Sequence, residues 1–323
     1  MEIKNNVLLS VNETDIINGH FRCPDDVTAI GDSVLYYNKS LKSIDFNNVI
    51  SIGDCFLFNN ETITEIDLKN VKTIGDKFLF NNETITEIDF KNVETIGNYF
   101  LHYNDIISEI DFKNVETIGN YFLTNNELIN KIDLKNVKTI DDKFLFYNKS
   151  LTEIDFKNVK TIGNYFLYNN ELLTSISINN VLLNILKVDN STFVIESTKN
   201  VEDITVYKGY ILKSINNGVF NKQDCFVAYK NNLYSHGNTL KESISDLNYK
   251  INRDFFKNEP IDMDTIITIE RFRAITGACS FGVDSWIKEN NIKTDKIKVS
   301  ELLPILEKTN AYGLSSFKEM IKK

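Results

Sequence analysis

The sequence predicts an α+β chain: a parallel β solenoid of 22-residue coils, followed by a small α+β segment and a C-terminal helical unit. Three observations carry this. Between residues 41 and 172 one 22-residue unit recurs six times without insertion or deletion, its clearest copy being ITEIDLKNVKTIGDKFLFNNET at residues 63–84. The apolar offsets hold throughout: Ile66 maps onto Ile88, Ile110, Ile132, Ile154 and Ile176, and Val71 onto Val93, Val115, Val137, Val159 and Val181. After Leu173 the period fails, and strand-like and then helix-like patterns replace it. A unit this short cannot bury its apolar face alone, so neighbours must stack and each offset becomes a column along the stack.

Residues 1–40 read as an N-terminal cap with a degenerate first coil. Val27, Ile30, Gly31, Leu35 and Asn38 fit the repeat, whereas Arg22 and Pro24 stand where later coils are apolar. Polar, atypical terminal coils protect the open edge of a solenoid. Residues 41–182 are assigned to the solenoid. Within its unit the run Glu65-Ile66-Asp67-Leu68-Lys69 alternates, so Ile66 and Leu68 point inward and Glu65, Asp67 and Lys69 outward. Asn38, Asn60, Asn82, Asn104, Asn126, Asn148 and Asn170 form a column expected to satisfy turn backbone from the inside. Several of these begin N-x-S/T triplets, and an inward side chain would be unreachable for glycosylation. Gly53, Gly75, Gly97, Gly119 and Gly163 mark an offset with positive φ or close chain approach, with Asp141 as the exception.

From Asn184 to Gly237 the pattern predicts short strands around residues 193–196, 204–212 and 226–234, the last bent at Asn231-Asn232. Thr239 and Glu242 form a capping box opening a helix with Leu240, Ile244, Leu247 and Ile251 on one face. These strands and helix make up residues 183–260, and residues 261–323 form the helical unit, with helices after Thr268, through Trp286, from Ser300 and from Ser315.

The unit resembles the BspA-type leucine-rich repeat. Leu151, Ile154, Phe156, Val159, Ile162, Gly163, Phe166 and Asn170 carry its L-x-x-I-x-I, V-x-x-I-G and aromatic-turn pattern over roughly residues 20 to 185. The period here is 22 rather than about 23, and the coils lack the Ile-Pro pair common in the family. The resemblance implies a leucine-rich-repeat-like fold and a binding or adhesion role. Residues 234–242, 246–250, 273–279, 281–282 and 311–313 are similar to a segment that follows such repeats in bacterial and phage-encoded proteins, a resemblance that points to a mobile-element origin and carries over no functional residues.

Charge narrows the function. Residues 1–182 carry 16 Lys and Arg against 27 Asp and Glu, a balance of −11, while residues 183–251 (8 against 7) and 252–323 (12 against 11) are near neutral. Asp45, Asp67, Asp89, Asp111, Asp133 and Asp155 form an exposed column beside Glu65, Glu87, Glu109 and Glu153, flanked by Lys69, Lys91, Lys113, Lys135 and Lys157. Like charges one coil apart repel by about 1 kcal/mol in water and more at a surface, and the Lys column is expected to offset part of this. The columns read either as a solvated, salt-laddered sheet or as an acidic strip that suits a basic protein, and both disfavour direct nucleic-acid binding. Tyr99, Tyr121 and Tyr165, with Lys77 and Lys143, hold a turn-side offset near His102, Tyr103, Tyr147 and Tyr168. Exposed aromatics of this kind either anchor an interface or cover the convex side of the solenoid.

Cys23, Cys55, Cys225 and Cys279 form no C-x-x-C pair, and three histidines offer little for a metal. No cofactor is expected. Residues 1–18 lack a secretory pattern and no run of about 18 apolar residues could span a membrane. The reading that follows is a non-catalytic, cytoplasmic interaction module. Its expected partner is a host protein with a basic surface, bound as a phage or prophage inhibitor of a nucleic-acid-handling defence enzyme would bind it, in an anti-CRISPR-like way. The partner-binding residues expected are Glu65, Asp67, Glu87, Asp89, Glu109, Asp111, Asp133, Glu153, Asp155, Tyr99, Tyr121 and Tyr165. The alternatives are a surface adhesin-type repeat protein, which requires export, and a thiol enzyme centred on Cys279.

Overall fold

Each coil contributes two short strands, because only two of its stretches keep an alternating pattern between turns. In the computed structural model, which describes residues 1–104 and 106–321, a hairpin of β1 (Glu2–Lys4) and β2 (Val7–Ser10) precedes the stack. The first coils carry β3 (His20–Arg22) and β4 (Ala29–Ile30), β5 (Ser43–Asp45) and β6 (Ser51–Ile52), then β7 (Glu65–Asp67) and β8 (Thr73–Ile74). The later coils carry β9 (Glu87–Asp89) and β10 (Thr95–Ile96), β11 (Glu109–Asp111) and β12 (Thr117–Ile118), β13 (Lys131–Asp133) and β14 (Thr139–Ile140), then β15 (Glu153–Phe156) and β16 (Thr161–Ile162). The chain folds into two compact units: Met1–Ile195 with Tyr210–Gln223, and Glu196–Gly209 with Asp224–Lys323.

In the first unit the Thr-Ile strands form one unbroken parallel ladder from β4 to β16, in register at a step of 22 residues, as in Ile74↔Ile96 and Ile96↔Ile118. Inside lie Val71, Ile74, Leu68 and their equivalents, almost without exposure. Phe56, Phe78, Phe100 and Phe122 stack down the interior at centroid spacings of 5.0 to 5.9 Å. Such pairs add about 0.5–1.5 kcal/mol each beyond area burial.

The asparagine column behaves as expected in the early coils. Asn60 is fully buried; its Oδ1 accepts from the Thr62 and Ile63 N–H groups, and its Nδ2 donates to the Asn38 carbonyl at 2.8 Å. From Asn126 onward the amide turns: Nδ2 of Asn126, Asn148 and Asn170 donates to Leu101, Leu123 and Leu145 carbonyls instead.

The turn between coils has a backbone that most of its residue types do not favour, the asparagines at its third left-handed position excepted. Three alternate residues per coil take left-handed backbone, for example Lys77 (φ 58°), Leu79 (51°) and Asn81 (55°), and none is glycine. Left-handed backbone costs a non-glycine residue roughly 1–2 kcal/mol. The cost is met by hydrogen bonds to both neighbouring coils: Lys77 and Asn81 N–H donate forward to Asn98 and His102 carbonyls, and Leu79 N–H donates back to Phe56.

Three sequence expectations need correction. The first coil is not degenerate: Phe21 pairs with Ile44 and Cys23 is fully buried, so the apolar side chains sit one residue earlier and the extra residue is absorbed near Pro24. Of the two explanations for the glycine offset, close approach holds, since those glycines do not have positive φ. Val181 does not begin another coil. Asn179 and Asn180, both left-handed, reverse the chain from β17 (Ser175–Ile178) into β18 (Val181–Val188), leaving Val181 56% exposed.

The strands after the coils are long rather than short. β19 (Ser191–Val201), β20 (Ile204–Asn216), β21 (Val219–Lys230) and β22 (Leu233–Gly237) follow, and Asn231-Asn232 makes a tight hairpin, not a bend. Asp189-Asn190, Asn217-Gly218 and Asn231-Asn232 all have paired positive φ, the geometry that matches the twist of a two-residue hairpin. In the first unit β20 joins the coil ladder at Ile162↔Ile215, antiparallel. Lys187 closes the interior there: its Nζ donates to the Leu167 carbonyl and Thr192 Oγ1, both at 2.8 Å, and burial pushes its pKa down to about 7.

In the second unit α1 (Leu240–Asn258) starts as expected, with Thr239 Oγ1 accepting from Glu242 N–H and Glu242 accepting from Asn238 N–H. α2 (Ile269–Thr276) ends at left-handed Gly277; α3 (Ser280–Glu289), α4 (Val299–Thr309) and α5 (Leu314–Glu319) follow. A small antiparallel pair, residues 266–268 with 296–298, was not foreseen.

Two predictions follow from this packing. A Cβ on Gly119 would lie 2.7 Å from Gly97 backbone atoms and 2.8 Å from the Asn98 nitrogen, so Gly119→Ala should destabilise by about 2 kcal/mol or more in denaturant unfolding. His102 stacks on Phe80 at 4.9 Å, is 9% exposed, and burial pushes its pKa down to about 4. The unfolded chain therefore takes up a proton near pH 6.5 that the folded chain refuses until about pH 4, and stability drains across that window as pH falls. His102→Phe, which continues the Phe58–Phe80 stack, should flatten this loss when unfolding midpoints at pH 7 and pH 5 are compared; an unchanged slope would exclude His102 as its source.

Candidate functional site

The acidic face is built from the first strand of each coil and the turn after it. Glu65 and Asp67 flank inward Ile66, and the next coils repeat the arrangement in direct register, Glu65↔Glu87 and Asp67↔Asp89. The Asp carboxylate is fixed by local backbone. Oδ1 of Asp67, Asp89, Asp111, Asp133 and Asp155 accepts the N–H two residues on, from Lys69, Lys91, Lys113, Lys135 and Lys157, at 2.9 to 3.0 Å. This side-chain-to-backbone turn is what a short acidic residue offers at a strand end. The second carboxylate oxygen is left for solvent or a partner.

The structure alters the charge balance expected for this face. Among the described residues, none of the column Lys69, Lys91, Lys113, Lys135 and Lys157 forms an ion pair with a carboxylate. The pairs on the face are instead Lys131 with Glu109, at 3.4 Å, where Lys131 replaces a glutamate of the repeat, and Arg22 with Asp45, at 3.5 Å, at the start of the column. The pairs Lys72–Glu94 and Lys138–Glu116 involve residues between the two strands of their coils. From Asp67 to Asp155 the Asp column therefore keeps its negative potential nearly uncompensated at contact range, and Asp45 is the member that meets a cation. Exposed pairs of the Lys131–Glu109 kind contribute little to stability, about 0–1 kcal/mol.

A second feature could not be foreseen. Strand pairing on this face is pairwise, β7 with β9 and β11 with β13, without the continuous ladder of the Thr-Ile side. Between β9 and β11 a cleft of about 430 Å³ opens. Glu87, Asp89, Glu109, Asp111 and Asp133 line it, half-buried Ile88 and buried Ile110 form its apolar wall, and Thr86, Lys113 and Lys131 complete the lining. Five of the expected partner-binding residues thus come together in one concave site. Glu65, Asp67, Glu153 and Asp155 lie on the same strand face outside the cleft. Pockets of this size accept a side chain or a small ligand.

Tyr99, Tyr121 and Tyr165 are not part of it. They occupy the left-handed turn offset, where Tyr99 and Tyr121 stack at 4.5 Å and the Lys143 ammonium lies 4.2 Å from the Tyr121 ring centre while donating to its hydroxyl. Burial raises the Tyr99 pKa, and the hydrogen bond to Tyr121 raises that of Lys143. Two of these three tyrosines thus spend ring area on neighbouring coils. Tyr165 is 60% exposed.

Among the described residues no group of three His, Cys, Asp or Glu side chains is placed to hold a metal ion, and no helix is long and apolar enough to cross a membrane. Cys279 caps α3, its Sγ accepting from Gly282 N–H at 3.4 Å, beside a cavity of about 510 Å³ lined by Phe272, Trp286 and Tyr312 among others. Among that cavity's described lining residues there is no histidine or carboxylate to activate the thiol, and His236 does not line it.

No curated protein matches the sequence. The model of the BspA type leucine rich repeat region matches with six copies over residues 18–129 and 102–226, which takes in every coil and runs on into the long strands. With that match spanning well over half of the chain, the repeats, the strand register and the asparagine column resolve into one assignment: the chain belongs to the BspA-type leucine-rich repeat family.

Proposed function

We propose that this protein is a non-catalytic interaction module whose acidic strand face, centred on the cleft between β9 and β11, binds a basic surface of a partner protein. Repeat proteins of the leucine-rich type point to a protein-interaction or adhesin-like role, and the observation that carries the finer reading is the cleft itself. Five carboxylates surround a partly apolar wall, which suits an inserted arginine or lysine: the stem packs on Ile88 and the cation meets the carboxylates. The rows of carboxylates on either side repeat at roughly 4.8 Å, the spacing of paired strands. Such a line of negative charge competes with phosphate backbones for basic grooves.

The partner we propose is accordingly a host protein that handles nucleic acid, occluded by this chain in the cytoplasm as a phage- or prophage-encoded inhibitor would do. Cys23, Cys55, Cys225 and Cys279 form no disulfide among the described residues, which is compatible with a reducing compartment. Family membership also favours a second reading, a surface adhesin-type protein, which cell fractionation separates from the first by locating the chain on the outer surface.

The test uses the Asx turn to part structure from charge, since an asparagine Oδ1 can still accept the backbone N–H. The triple variant Asp89→Asn, Asp111→Asn, Asp133→Asn should fold with wild-type stability yet bind the captured partner at least about tenfold more weakly, and wild-type binding should fall as salt rises. Capture that ignores both salt and the triple substitution, or that nucleic acid fails to displace, would sink the proposal.

A further inference from the structure

At the seventh coil two of the turn columns end unfilled, while a third goes on, Asn169 N–H donating to the Asn190 carbonyl at 3.2 Å. In each of the first six coils the first left-handed residue of the turn, Ser33, Cys55, Lys77, Tyr99, Tyr121 or Lys143, donates its N–H to a carbonyl of the next coil at 2.7 to 3.0 Å. Tyr165 holds that position in the seventh, and among the described residues its N–H has no acceptor. The neighbouring column runs the same way. Oδ1 of Asp32, Asp54, Asp76, Asn98, Asn120 and Asp142 each accepts from the backbone N–H one coil on, ending at Asn164 N–H at 2.6 Å, and among the described residues Asn164 Oδ1 receives no donor in turn.

Rings follow the same rule. Tyr99 is covered by Tyr121 and Tyr121 by the Lys143 ammonium, whereas the residue one step beyond Tyr165 is Lys187, which turns inward to the Leu167 carbonyl. The outer face of Tyr165 is left open, which explains its 60% exposure.

These three loose ends line one cavity of about 430 Å³ within the first unit. Asn190, Gln223 and Lys213 line it with them. No Asp or Glu is among its lining residues, in a unit whose coils carry a balance of −11 over residues 1–182. Among the described residues, no carboxylate pairs with Lys213. An apolar ring face, a free backbone donor, a free amide acceptor, two further amide side chains and one cation are the complement of a polyhydroxylated ring bearing a carboxylate. We infer that this cavity is a binding site for an acidic saccharide, its sugar face lying on Tyr165, its hydroxyls on the Asn164, Asn190 and Gln223 amides, and its carboxylate on Lys213. The ligand would continue the ladder where the eighth coil is missing. A nucleotide fits less well, because one ammonium poorly balances a phosphate's charge.

The full chain can be titrated with tetragalacturonate, maltotetraose and AMP, read by saturation-transfer NMR. Tetragalacturonate should bind with saturation at millimolar concentration or below, with transfer to sugar C–H protons. Tyr165→Ala should weaken it about tenfold or more, and Lys213→Gln should abolish the preference over maltotetraose. Both side chains are exposed, so both variants should keep the wild-type circular dichroism. No saturable binding of tetragalacturonate, binding unchanged by both substitutions, or binding of AMP alone would overturn the assignment.

Discussion

Hydrogen bonds between a residue and one about 22 positions away hold this protein together, and they run on more than one side of each coil. The Thr-Ile strands form the continuous ladder, the asparagine columns span coil to coil from inside and outside, and the left-handed turns bond to both neighbours. Because every partner sits one coil away, an extra residue in a central coil would break these bonds on several sides at once, and the one extra residue in the stack lies in the first coil. That constraint explains the absence of insertions between residues 41 and 172 better than packing alone, which tolerates local repacking. It also explains the glycine offset, where successive backbones approach too closely for a Cβ.

The same constraint places the functional surfaces. The Asp column is exposed because strand alternation puts it outward, and its orientation is set by the turn it caps, so the partner proposed above would meet carboxylates already held in place. A preorganised charge loses less side-chain entropy on binding than a free one. The cleft between β9 and β11 arises where pairwise strand pairing leaves a gap on this face while the Thr-Ile ladder stays closed. The stack is thus rigid on one side and relieved on the other, and the relief falls among the like charges.

Much of this was legible in the residues. The inward set at Ile66, Leu68, Val71 and Ile74, the buried asparagines and the helix starts at Thr239 and Thr268 all follow from period and residue type. The left-handed turns were not, because Lys77, Leu79 and Tyr99 have no local preference for that backbone; neighbouring coils impose it. The Asp189-Asn190 and Asn217-Gly218 hairpins did leave a signal, paired turn-forming residues between apolar runs, which the fading of the repeat obscured. Ion pairing was illegible for a different reason: a lysine beside an aspartate in sequence points along the turn, and only the folded register shows that Lys131, not Lys113, meets Glu109.

The one-residue offset in the first coil has a wider implication. Phe21 and Cys23 fill their slots at a step of 23 while the rest of the stack steps by 22, so the extra residue is taken up before Val27, where the turn at Asp25 and Asp26 is exposed. The terminal coils are in this sense adaptors, and the central ones are interchangeable. A gene built this way can gain or lose a middle coil by unequal crossing-over between near-identical copies. The protein would lengthen or shorten its acidic face in whole steps while both ends, with whatever they bind, stay as they are.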